Sequence, residues 1–121
     1  MGASARRSVV ACLGASSTAG KGQAFDWIAE LERLPENQII EFRNFGVGGD
    51  LAYHALRRVN SVVASGPGKV IVWIGANDVL ASVFANVRRF FELTKRLPRS
   101  PSPGWFRECL TASVMTLRAR A

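Results

Sequence analysis

Three short motifs hold the residues best suited to chemistry: Gly14-Ala15-Ser16-Ser17-Thr18, Asn44-Phe45-Gly46-Val47-Gly48-Gly49-Asp50 and Gly75-Ala76-Asn77-Asp78. Each follows an apolar run that reads as a strand, over residues 9–13, 39–42 and 69–74, the first of them fully buried. In an open α/β sheet, ligands bind beyond the carboxyl ends of such strands. A hydroxyl, a glycine-rich turn and an Asn amide gathered there are the parts of an acyl-transfer site. The Ser attacks, while backbone N–H groups and the amide donate to the oxygen that becomes negative. Any one motif alone also reads as an ordinary strand-to-helix turn, where Gly, Ser, Asn and Asp are common. The order and spacing of all three favour the chemical reading.

A nucleophilic Ser needs a base, and His54 is the only histidine in the chain. At helical spacing it lies about 200° around from Ala52, off the apolar stripe, which predicts a surface histidine. Asp78 reads as a cap or a loop acceptor. A second reading takes residues 15–22, ending in Gly20-Lys21-Gly22, as a degenerate phosphate-binding loop of a nucleotide-binding α/β domain. That loop wants Ser or Thr after the Lys to hold magnesium, and Gly22 has no hydroxyl. It also leaves Gly49 and Asn77 without roles.

With these motifs in place, the sequence resembles the SGNH family of GDSL-type esterases and lipases. The family's Gly-Asp-Ser-x-Thr block appears as Gly14 to Thr18, its Asn-x-x-x-x-Gly-Asp block as Asn44 to Asp50, and its Gly-x-Asn-Asp block as Gly75 to Asp78. The resemblance spans residues 8–80. It implies Ser16 as nucleophile, Gly49 N–H and the Asn77 amide as oxyanion donors, and a carboxylic ester or thioester as small-molecule substrate. It implies neither cofactor nor metal. The implied fold is a flavodoxin-like three-layer α/β/α sandwich with a parallel sheet. Two departures stand out: Ala15 replaces the family's Asp, and the Asp-x-x-His block that supplies the base does not occur in these residues. The expectation is a weak or inactive hydrolase, with a non-catalytic interaction fragment as the alternative.

The elements that must position these motifs follow from periodicity. Ala24, Trp27, Ile28, Leu31 and Leu34 form a helical stripe closed by Pro35. Asp50 can cap a second helix over 51–63, with Ala52, Ala55, Leu56, Val59, Val62 and Val63 facing inward. Val83, Phe84, Val87, Phe90 and Phe91 stripe a third helix, and Ser102-Pro103 opens a fourth through Leu110, Val114 and Leu117. The pattern β-α-β-α-β-α-α predicts parallel strands in spatial order 2-1-3, with the first two helices on opposite faces. Three strands make a narrow sheet. The reading is a single domain over 1–121, the N-terminal portion of an SGNH hydrolase domain cut after three strands, with an exposed edge through which copies self-associate.

Composition sets the outer bounds. At 121 residues, 48% hydrophobic and 21% charged, the chain is one globular domain. Its longest apolar runs, 9–13 and 70–74, cannot span a bilayer. The net charge is +7; residues 1–60 carry seven basic and six acidic groups, residues 61–121 nine and three. The surplus (Arg88, Arg89, Lys95, Arg96, Arg99, Arg118 and Arg120) is scattered along helices without interleaved aromatics, which predicts a solvated face and no nucleic-acid binding. Cys12 and Cys109 lie in apolar and amphipathic runs, as buried free thiols would. The apolar stretch after Arg6 and Arg7 is too short for a signal peptide, and Arg6 stands where a myristoylation signal wants Ser or Thr. A cytoplasmic protein is the expectation.

Overall fold

The computed structural model describes residues 8–20 and 25–120. Ala24, Lys21 and Gly22 therefore lie outside the described residues, as do the N-terminal arginines. Strand β1 (Ser8–Gly14) pairs in parallel with β2 (Ile40–Gly46) on one side and β3 (Lys69–Trp73) on the other, giving the order β2-β1-β3. A central parallel strand is covered on both faces, and Ala11, Cys12 and Leu13 are wholly buried.

Strand alternation divides the helices between the faces. Cys12 stands opposite Asn44 and Ile71, and Leu13 opposite Phe45 and Val72. Ala11, Leu13, Phe45, Val70 and Val72 point to one face, where they pack with Ala55, Val59, Val62 and Leu117. Those partners lie on α3 (Ala52–Arg57), α4 (Val59–Ala64) and α7 (Pro103–Arg120). The opposite face receives α2 (Trp27–Arg33), whose Trp27 ring packs at a tilt of 47° against Trp73 of β3, centroids 5.9 Å apart. Asp26 caps α2, accepting the Ala29 N–H at 3.0 Å. The opposed faces are those the right-handed crossovers require.

Several boundaries differ from the sequence reading. Strand β2 runs on through the polar Arg43 and Asn44 to Gly46, because its ladder with β1 extends to the Gly14–Gly46 pair. The helix expected over 51–63 breaks into α3 and α4 at Arg58, whose side chain turns inward. The helix expected to start near Val83 is two, α5 (Ala76–Val83) and α6 (Ala85–Lys95), separated by extended backbone at Phe84. Only Phe91 of its expected stripe is buried; Val83, Phe84 and Phe90 are exposed.

Helix α7 begins as read, with Ser102 Oγ accepting the Trp105 N–H at 3.1 Å. Its buried stripe is Trp105, Cys109, Ser113 and Leu117, one position off the expected Leu110 and Val114. Both cysteines are buried and free, and burial pushes the Cys12 thiol up to about 11. No helix among the described residues is long and apolar enough to cross a membrane.

The core assignment makes a contrast measurable by urea denaturation. Leu13→Ala removes a wholly buried side chain from between the layers and is expected to cost about 2–5 kcal/mol. Leu93→Ala, at a side chain 75% exposed, is expected to stay within about 0.5 kcal/mol of the parent.

Candidate active site

The first motif leaves β1 at Gly14, turns at Ala15 and enters the single turn of α1 (Ser16–Ala19). The Thr18 and Ala19 N–H groups both donate to the Ala15 carbonyl, at 3.1 and 2.9 Å, which sets Ser16 half-buried at the carboxyl edge of the sheet. Asn44 secures this turn from the next strand. Its amide donates to the Thr18 carbonyl at 2.9 Å while its oxygen accepts the Gly46 N–H at 2.8 Å. The fit is close enough to require glycine: a Cβ on Gly46 would fall 2.3 Å from the Ala19 nitrogen.

The second motif curls over this turn. A Cβ built on Gly48 would meet the Ser16 Cβ at 3.9 Å, so the glycine turn and Ser16 are neighbours. Gly49 adopts φ +79°, a left-handed conformation that side-chain-bearing residues avoid. No described residue accepts a hydrogen bond from its N–H. Asn77, the second residue of α5, donates from Nδ2 to the Asp50 carbonyl at 3.0 Å. One of its two amide hydrogens is thereby used. Ser16 is thus seated against Gly48, and Asn77 against Asp50, the two residues that flank Gly49.

Beneath the turn lies a buried charge. Asp50 is 3% exposed, and its carboxylate accepts from Arg58 Nη1 and from Lys95 Nζ at 3.0 Å. Arg58 also donates from Nη2 to the Gly14 carbonyl at 3.1 Å and the Phe45 carbonyl at 3.0 Å, the ends of two strands. Asp50 therefore does not cap α3. That role falls to Asp78, whose carboxylate accepts the Ala52 N–H at 3.1 Å from 26 residues away. Burial raises Asp78 to about 6, although the Ala52 N–H and its own backbone N–H pull the other way.

His54 is not the surface histidine its helical position suggested. Its side chain is 15% exposed, and Nδ1 accepts the Leu51 N–H at 2.9 Å. The ring proton then sits on Nε2, which is buried and finds no partner among the described residues. Burial lowers the His54 pKa, with the cations Lys95, Arg58 and Arg57 pushing the same way against Asp50. Its acceptor nitrogen is occupied in holding the start of α3.

This arrangement carries the signature of a known family. The profile of the GDSL-like lipase/acylhydrolase family matches residues 10–100. The chain belongs to that family. Its similarity extends to solved structures: the SGNH-hydrolase family esterase AlinE4 superposes with a TM-score of 0.67 at 27% identity, over 94% of this chain and 55% of that one. TesA gives 0.68 at 20% identity, over 93% and 55%, and the acetyl xylan esterase AlAXEase 0.69 at 19%, over 93% and 53%. The latter two show the fold alone. A search of curated proteins finds no match. The chain spans about half the length of each of these three solved structures. The family match favours the hydrolase reading over the degenerate phosphate loop.

Sequence reasoning missed Arg58 and Lys95. Both look like solvated basic residues, and only the fold directs them to Asp50. Asp78 yields a pH test whose sign is fixed. The folded chain keeps the Asp78 proton between pH 4 and about 6, where the unfolded chain has released it, so this group removes stability as pH rises through that window. Asp78→Asn is expected to gain in urea midpoint relative to the parent from pH 4 to about 6, with the difference level above it. A gap independent of pH would contradict the assignment.

Proposed function

We propose that this GDSL-family chain holds the nucleophile and oxyanion donors of a serine ester hydrolase acting on small carboxylic esters or thioesters. Ser16 Oγ attacks the carbonyl carbon; the Gly49 N–H and Asn77 Nδ2 receive the oxygen as it becomes negative. The observation that carries this reading is the pair of contacts flanking Gly49: Ser16 against Gly48, and Asn77 Nδ2 on the Asp50 carbonyl. An open cavity of about 430 Å³, lined by Ala19, Asn44, Gly46, Val47 and Gly48, adjoins the turn and offers room for one substituent of the ester.

Base catalysis is the weak part of the site in these 121 residues. His54 has its acceptor nitrogen occupied, and no other histidine is present. Sites that keep the oxyanion donors but lose a triad member still retain ~10³–10⁴-fold catalysis over water. Aryl-ester turnover should accordingly be slow and should depend on Ser16.

The test is reaction of the 121-residue chain with an alkyl fluorophosphonate, followed by intact mass. The parent is expected to gain one adduct, on Ser16, with loss of fluoride, and Ser16→Ala none. Asn77→Ala, deprived of one donor, is expected to react about 10²–10³-fold more slowly. Equal labelling of the parent and Ser16→Ala would refute the reading.

A further inference from the structure

We infer that Lys95 is a positioning residue for the oxyanion donor at Gly49, an inference that rests on the proposed hydrolase site. Lys95 closes α6, and its stem lies along the glycine turn: a Cβ on Gly49 would meet Lys95 Cε at 3.2 Å and Nζ at 3.6 Å. The ammonium donates to the Gly48 carbonyl at 3.2 Å and to Asp50 Oδ1 at 3.0 Å, one residue on each side of Gly49.

The consequence follows from the covalent chemistry of the turn. The Gly48 C=O and the Gly49 N–H belong to one planar peptide unit and point in opposite directions. Holding the carbonyl oxygen on one side therefore aims the N–H on the other. A glycine pair has the weakest intrinsic preference for any one orientation of that plane, so an external hold matters here more than at other residues. A full positive charge on the carbonyl oxygen also polarises the peptide unit and strengthens its N–H as a donor. The Asp50 contact serves the same end by fixing where the ammonium sits. Lys95 thus acts on the reacting oxygen through the Gly48–Gly49 peptide, without touching substrate.

The experiment compares the parent chain with Lys95→Met, Lys95→Gln and Lys95→Arg, using fluorophosphonate labelling of Ser16, thermal melting, and the ¹⁵N–¹H signal of Gly49. Lys95→Met is expected to label at least about 10-fold more slowly, a fraction of the loss seen when an oxyanion donor is removed outright. Its Gly49 amide should move upfield and exchange faster with solvent. Lys95→Arg, which keeps a charged donor, should recover most of the rate and the Gly49 shift. Lys95→Gln, with a neutral donor, should fall between, and it carries the comparison if Lys95→Met melts too low to use. Wild-type labelling rates in the folded Met or Gln variants, or an unmoved Gly49 signal, would overturn the inference. If the parent itself fails to label, the hydrolase reading fails separately, and the Lys95 hold is decided by the Gly49 signal alone.

Discussion

The structure turns on the buried carboxylate of Asp50. An anion at 3% exposure is tenable only when paired and hydrogen-bonded, and its partners here come from distant parts of the chain. Arg58 reaches it from the joint between α3 and α4, and Lys95 from the end of α6. Arg58 also takes the last carbonyl of β1 and the Phe45 carbonyl near the end of β2, while the Asp50 carbonyl takes the Asn77 amide from beyond β3. Through its side chain and its carbonyl, this one residue therefore ties together the three strand ends at which Ser16, Gly49 and Asn77 sit. Asp50 would be left as an unpaired buried charge only if both cations were lost, a situation that costs about 3–5 kcal/mol.

What was legible in the sequence is what local pattern encodes. The apolar runs before Gly14 and Gly75 mark β1 and β3, and connection handedness then gives the order β2-β1-β3 with helices on both faces. The three motifs are contiguous, so their place at the strand ends could be read directly. The Ser102 cap and the free thiols were also local matters.

The remainder depends on contacts between segments far apart in sequence. Nothing near Arg58 says that a helix must break there, because the reason lies in the carbonyls of Gly14 and Phe45. The start of α3 is held by Asp78 from 26 residues away, and by His54, whose helical angle alone suggested solvent. Lys95 lies i+4 from Phe91, so a helical wheel could have placed both on one face. The destination of that face, the Gly49 turn, is a tertiary fact. Membership of the GDSL-like lipase/acylhydrolase family accounts for the motifs, while these supporting residues show how this chain holds them.

The proposed site treats Ser16, Gly49 and Asn77 as one oxyanion-binding unit at the sheet edge. The most direct measurement is an amide NMR comparison of the free chain with its Ser16 phosphonate adduct, in which a phosphoryl oxygen stands where the ester oxyanion would be. The Gly49 backbone amide and the Asn77 side-chain amide are both expected to move downfield in the adduct, while amides of the β1 core hold their positions. An adduct formed on Ser16 that leaves both of those signals where they were would contradict the proposed site.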